Sequence, residues 1–318
     1  MERPILSARD AAGYLEALDN VLLLTHVRPD GDTIGSAAAL CRALRDCGQT
    51  AYLLPNPEIT ATYAPYAAPY WAPEGWQAEH IVSVDIADVS LLPENAKPYQ
   101  ERIELAIDHH PSQTFFARNT CLEADSAACG EIVYEIIQHL TALTADIALP
   151  LYVAVSTDCG GFQYGNTTAR THRIAAALMD VVDVAAVNKT LFRTKSRVRL
   201  AMESRMVADM KLFDHERVVV MEIPLSLRQE MQATDADIEE LSALPALVEG
   251  TDCGVTLREL RPGTVKVSVR TGARVDACAL CRILGGGGHH AASGATVEGT
   301  LDEARMAVLA AYRKVIGA

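Results

Sequence analysis

No apolar run in the sequence approaches the ~20 residues that a helix needs to cross a bilayer. The first residues, Met1-Glu2-Arg3-Pro4, lack the charged-then-apolar layout of a secretory signal. Both absences predict a cytoplasmic protein with no membrane partner. Basic residues are scarce: 28 Lys and Arg stand against 41 Asp and Glu, for a formal net charge of −13. Long duplex nucleic acid is therefore not an expected partner, because neutralising its phosphates takes many cations. A short anionic ligand held by a metal and a few arginines stays compatible with that balance. The eight cysteines, at positions 41, 47, 121, 129, 159, 253, 278 and 281, are too scattered for a disulfide framework. Cys278 and Cys281 form one CxxC, but a zinc ribbon needs a second and there is none, so both read as buried thiols. Internal repeats and low-complexity tails are missing as well.

What remains is a 318-residue chain, 49% hydrophobic and 22% charged, long enough for two packed domains. The spacing of apolar residues predicts a helix over 7–18, a strand over 20–25, a helix over 32–46 and a strand over 50–54. Alternation of this kind points to a largely parallel sheet. An irregular excursion from Tyr63 to Trp76 follows, then two short apolar runs, 81–84 and 103–107. Further helices are expected over 128–140, 146–157, 168–180, 183–192 and 196–213. Beyond that the pattern turns β-rich at 218–221 and helical at 225–243. A hairpin is expected around Arg261-Pro262-Gly263, then helices at 275–284 and 301–316. The boundary is expected near 190–200, giving domains 1–192 and 193–318.

Chemistry-bearing residues fall in five segments, at expected strand ends or loops: His26/Asp30/Asp32, Asp85, Asp108/His109/His110, Asp158, and Arg270 with Gly286–His289. In open α/β sheets ligands gather at the carboxyl ends of the strands. Oxygen and imidazole donors suit a hard or borderline divalent ion, and two ions sharing a carboxylate need about six such ligands. The first four segments supply that number. Each alone has a plainer reading: Asp30-Gly31-Asp32 as a turn and helix cap, Asp85 and Asp158 as caps, the glycine run as a connector.

Asp108-His109-His110 resembles the signature of the DHH phosphoesterase superfamily, and four further motifs follow the same family in order. His26-x-x-x-Asp30-x-Asp32 is similar to its first motif, Val84-Asp85 to its second and Thr157-Asp158-x-Gly160 to its fourth. Gly286-Gly287-Gly288-His289-x-x-Ala292-Ser293-Gly294 resembles the glycine-rich motif of the associated DHHA1 domain. Length and layout look most like the group that degrades very short oligoribonucleotides and 3′-phosphoadenosine 5′-phosphate (pAp).

The resemblance implies an α/β fold: a parallel-sheet DHH domain with helices on both faces, a smaller α/β DHHA1 domain, and the active site in the cleft between. It implies two divalent ions, Mn²⁺ ahead of Mg²⁺ or Co²⁺, with His26 and Asp30 on one. Asp32, His109 and Asp158 would hold the other, and Asp85 would bridge them. Asp108 would orient His109, and His110 would face the scissile phosphate. Arg270, Gly286, Gly287, Gly288 and His289 would bind the far end of the substrate. The implied activity is hydrolysis of short RNA to 5′-mononucleotides and of pAp to AMP, by metal-activated water, in a cytoplasmic enzyme that is a candidate homodimer. The alternatives are a linear or cyclic dinucleotide (c-di-AMP/pApA) phosphodiesterase and, further off, a non-catalytic nucleotide-binding regulator. One departure stands out: the family usually has Thr where Cys159 follows Asp158, and a thiol there suggests oxidation sensitivity.

Overall fold

Val21-Leu22-Leu23-Leu24 is apolar at every position because the strand it forms, β1, is buried on both faces. The computed structural model describes residues 5–317, which form two units dividing between Thr194 and Lys195. Around β1 (Val21–Leu24) the first unit contains α1 (Ala8–Glu16), α2 (Gly31–Asp46), β2 (Ala51–Leu53), α3 (Ala64–Ala67), β3 (His80–Val84), β4 (Ile103–Asp108) and β5 (Asn119–Leu122). It continues with α4 (Cys129–Leu140), α5 (Ala145–Asp158), α6 (Ala169–Met179) and α7 (Ala185–Asn188). The strands form a parallel sheet of order β2-β1-β3-β4-β5.

Alternation along the strands sorts side chains between two cores. Leu23, Val82, Val84, Leu105 and Ile107 pack with apolar residues of α1, α2, α4 and α5. Leu22, Leu24, Ile81 and Ala106 face the other way, towards Leu92, Ala96, Trp76 and Tyr99. Helices therefore occur on both sides, but among the described residues that second face carries short 3-10 turns, at Val89–Leu91 and Lys97–Arg102. Glycine lets the helices of the first face meet closely. A Cβ at Gly35 of α2 would overlap the Pro150 carbonyl of α5, and one at Gly130 of α4 would overlap the Ala154 methyl.

The second unit contains α8 (Arg197–Ala208), β6 (Lys211–Phe213), β7 (Val218–Ile223), α9 (Leu225–Glu230), α10 (Asp235–Ile238), β8 (Cys253–Arg261) and β9 (Thr264–Thr271). After these come α11 (Ala277–Ile283), β10 (Gly287–Gly288), β11 (Ala292–Glu298) and α12 (Leu301–Ile316). Its sheet runs β10-β11-β9-β8-β7-β6, with β7 and β8 parallel and the other pairs antiparallel. One core takes in Leu280, Cys281, Val308 and Tyr312, and a second takes in Met202, Met206, Leu227 and Leu241.

Two helical expectations fail here. The helix expected over 196–213 stops at Ala208: Lys211–Phe213 pair with β7 as a strand instead, and Asp214, His215 and Glu216, all at positive φ, make the turn between β6 and β7. The stretch 225–243 breaks after α9, where Gln232 has a φ of 52°. Among the described residues no helix is long and apolar enough to cross a membrane.

Candidate metal centre

The chain leaves β1 through His26, whose Nδ1 lies 2.8 Å from the Val27 carbonyl oxygen. A carbonyl only accepts, so Nδ1 carries the proton and donates. In the neutral ring Nε2 then keeps a lone pair, the arrangement that suits a metal-ligating histidine. Four residues on, Asp30 caps α2, its Oδ1 accepting from the amides of Asp32 and Thr33 at 3.0 and 3.2 Å. The plain cap reading of Asp30 is thus true, and the same carboxylate also lies 3.6 Å from His26 Nε2. Gly31 is required between them, since a Cβ there would overlap the Thr157 side chain at the end of α5. That close approach brings Asp32, in the first turn of α2, near Asp158, the last residue of α5.

Asp32 is buried and well supported. Its oxygens accept from the amides of Cys129 and Gly130 at 2.7 and 2.9 Å and from Ser36 Oγ at 3.0 Å. Those two amides open α4, where unpaired N–H groups and the helix dipole favour an anion. Asp85 follows β3 and is also buried, with a φ of 60° that L-residues seldom adopt. Strain of this kind persists where surrounding structure holds it, often at functional sites. Here the Asp85 amide donates to the Ile107 carbonyl at 2.8 Å.

Asp108 closes β4 and is fully buried. Its Oδ1 accepts from the His109 amide at 2.8 Å, the His110 amide at 3.2 Å and the His110 Nδ1 at 2.7 Å. The expectation that Asp108 orients the His109 ring is therefore corrected. Asp108 holds the ring of His110, while His109 donates from Nδ1 to the Ser126 carbonyl at 3.0 Å. The chain turns away after β4, so the carboxylate can curl onto the second histidine while the first reaches the loop before α4.

Among the described residues, three groups of donors lie with their atoms within 4.8 Å of one another: His26/Asp30/Asp85, Asp32/His109/Asp158, and Asp85/His109/His110. Asp85 has Oδ2 3.7 Å from His26 Nε2 and Oδ1 3.6 Å from His109 Nε2, so its two oxygens face different imidazoles. The third group differs in kind, because its His110 nitrogen is Nδ1, which already donates to Asp108.

Charge is crowded at this site. Burial works against a charged His26, yet Asp30 and Asp85 outweigh it and raise the imidazole to about 11. Burial likewise opposes the His110 cation, and Asp108 and Asp85 raise it to about 9. Asp158 is lifted to about 6, first by burial, with His109 opposing and Asp85 and Asp30 adding. Asp32 is pushed well above the carboxylate range by burial and by Asp85 and Asp158. Asp85 Oδ1 is buried with no hydrogen-bond partner among the described residues. An orphaned carboxylate oxygen, imidazole nitrogens at which a cation can take the place of a proton, and crowded acids fit a cation. The oxygen and nitrogen donor set fits a divalent ion.

The second unit holds the remaining expected residues. Arg270 on β9 pairs in register with Ala292 of β11 on one side and Gly254 of β8 on the other. Its Nη1 donates to the Val269 carbonyl at 3.1 Å. Gly287 and Gly288 form β10 against Gly294 and Ser293, and His289 is exposed at the turn, its amide donating to the Ala292 carbonyl at 2.8 Å. A Cβ at Gly286 would overlap the Gly294 carbonyl.

Several supporting groups escaped the sequence reading. Backbone groups of Val27, Ser126, Cys129 and Gly130 leave no mark in side-chain chemistry. Asn166 donates to the carbonyls of Ala127 and Asp158 at 2.9 and 3.1 Å, and Gln113 bonds Asp108; both are common polar types outside any motif. The turn-type run Gly165-Asn166-Thr167 after Asp158 was the available hint. Cys159 is buried, and burial pushes its thiol up to about 12, which works against the thiolate on which ready oxidation depends.

Comparison with known proteins finds relatives along nearly the whole chain. The DHH family, N-terminal domain, matches residues 20–155. The bifunctional oligoribonuclease and PAP phosphatase NrnA of Thermus thermophilus is 33% identical over 313 residues, covering 96% of this chain and 93% of that protein. The protein of the same name from Bacillus subtilis is 23% identical, covering 88% and 90%. Among solved structures, an exopolyphosphatase-related protein from Bacteroides fragilis superposes with a TM-score of 0.88 at 22% identity, covering 98% of this chain and 96% of that one. The exonuclease RecJ bound to manganese has a TM-score of 0.51 at 12% identity, covering 98% and 95%.

Proposed function

Because this chain belongs to the DHH family, in the group of its NrnA relatives, we propose that it is a metal-dependent phosphoesterase acting on short oligoribonucleotides and on pAp. The products are 5′-mononucleotides and AMP. The observation that carries this reading is Asp85, a buried, strained carboxylate whose two oxygens face two different donor groups. His26 and Asp30 would hold one divalent ion, Asp32, His109 and Asp158 a second, and Asp85 both. Two imidazoles among the donors favour Mn²⁺ over Mg²⁺, which prefers oxygen and retained water, with Co²⁺ a further candidate. Such ions, when bound, polarise phosphoryl oxygens and lower the pKa of an attacking water.

The protein's own groups do the rest. His110, anchored through Nδ1 to Asp108, turns its Nε2 edge to the substrate and donates a proton-bearing contact to a phosphoryl oxygen. Asp108 keeps that ring in one orientation and favours its charged form. In the second unit, we assign Arg270, Gly286, Gly287, Gly288 and His289 to substrate binding. Glycine lets backbone approach phosphate closely, and successive amides make an anion nest. The net charge of −13 fits short substrates rather than long duplexes and a cytoplasmic enzyme.

The test is a substrate panel with Mn²⁺: pAp, linear and cyclic dinucleotides, and RNAs of increasing length. Mononucleotide release from linear dinucleotides and AMP from pAp are expected, with both lost in Asp85→Ala. No turnover of any substrate by the metal-loaded wild type would sink the reading. A preference for the cyclic dinucleotide would move it to the signalling-nucleotide class.

A further inference from the structure

We propose that Gln113 is a positioning residue, whose buried side-chain amide locks the Asp108 carboxylate, and through it the His110 ring, to the backbone beside Asp85. The inference rests on the phosphoesterase reading, in which His110 meets the substrate.

The Asp108 carboxylate is unevenly supported. Its Oδ1 takes three donors, all from His109 and His110. Its Oδ2 takes one, Gln113 Nε2 at 2.6 Å. Gln113 is itself buried, and the same nitrogen donates to the Ile86 carbonyl at 2.9 Å, one residue past Asp85. Its amide can face only one way. Oε1 accepts from the Phe115 amide at 3.0 Å, so Nε2 must point to Asp108 and Ile86. The Gln113 backbone amide, meanwhile, donates to the His110 carbonyl at 3.1 Å. The loop after His110 thus folds back on the residue that orients it.

Neither of the nearest replacements fills this role. Glu would set a carboxylate against a carboxylate. Asn is one methylene shorter and cannot span Asp108 and Ile86 together. Without the amide, Oδ2 is left buried and unpaired, and the carboxylate is free to rotate away from His110 Nδ1. A ring that wanders costs turnover more than substrate affinity, because it meets the phosphoryl group best at the transition state.

The experiment compares wild type, Gln113→Met, Gln113→Asn, Asp108→Asn and the Gln113→Met/Asp108→Asn double variant, all loaded with Mn²⁺, on pAp and a dinucleotide. Met keeps the length and packing of Gln but offers no hydrogen bond. The expected result is a kcat lowered roughly 10–100-fold in Gln113→Met, the range for outer partners of site histidines, with KM and Mn²⁺ dissociation constants within about threefold of wild type. Gln113→Asn should fall between. In the Asp108→Asn background the same substitution should add less than about threefold, because both changes break one chain of contacts. Multiplying effects in the double variant, an unchanged kcat in Gln113→Met, or a loss that follows metal occupancy would each overturn the proposal. Wild type without turnover would instead remove the phosphoesterase reading, and this inference with it.

Discussion

Asp85 Oδ2 lies 3.7 Å from His26 Nε2, the two residues meeting at the carboxyl ends of adjacent parallel strands, β3 and β1. In the metal-free protein a proton satisfies this contact. Burial opposes it, but Asp30 and Asp85 hold His26 to about 11. A cation taking the Nε2 lone pair must displace that proton, so loading the site releases protons at neutral pH. Titration calorimetry with MnCl₂ at pH 7.5, repeated in buffers of different ionisation enthalpy, should show a release of roughly one proton or more per protein. An observed enthalpy that does not change with the buffer would mean that His26 is not a ligand.

Asp158 gives a stability effect of definite sign. Burial, then the nearby Asp85 and Asp30, lift its carboxyl to about 6 against His109, from an ordinary value of 3.8. Below pH 4 it is protonated both folded and unfolded and contributes nothing. Between pH 4 and 6 the unfolded chain ionises first, so the metal-free fold loses stability as pH rises and does not recover it above 6. Asp158→Asn removes this penalty. Its metal-free Tm should match wild type near pH 4 and exceed it by about 2–4 °C at pH 7.5. Excess Mn²⁺ should reverse the order, because only the wild type then gains full ligand stabilisation. A Tm difference independent of pH and metal would assign Asp158 a purely structural role.

Legibility in the sequence followed chemistry and length. Asp85 and Asp108–His110 follow short, mainly apolar runs, broken only at Ser83 and Glu104, and such runs become strands buried on both faces. The helix at 301–316 was plain because Thr300 and Glu303 form a capping box before a long periodic stretch. β5, with only Asn119-Thr120-Cys121-Leu122, was too short and polar to register, and its pairing with β4 comes from tertiary context. The pairing of Asp108 with His110 rather than His109 depends on how the chain turns after β4, which residue types do not record. The hydrogen bonds from His26 and His109 to backbone carbonyls are silent for the same reason, although they set which nitrogen each ring presents.

Gly35 ties the packing of the first unit to its chemistry. Gly to Ala inside a helix normally stabilises by about 1 kcal/mol. Gly13 in α1 should behave that way, since a Cβ there meets nothing within 4 Å. At Gly35 the sign reverses, because the added methyl overlaps the Pro150 carbonyl and crowds the Ala154 amide, backbone atoms that no rotamer change can move. Gly35→Ala should cost about 1–3 kcal/mol, as other overpacked cores do. α5 must shift to make room, and Asp158 at its end shifts with it relative to Asp32 on α2. Denaturant unfolding of Gly13→Ala and Gly35→Ala should therefore move in opposite directions, and only Gly35→Ala should weaken Mn²⁺ binding. Equal stabilisation by both would show that α2 and α5 have slack the structure does not contain. A destabilised Gly35→Ala with unaltered Mn²⁺ affinity would show that the α5 terminus adjusts independently of its contact with α2.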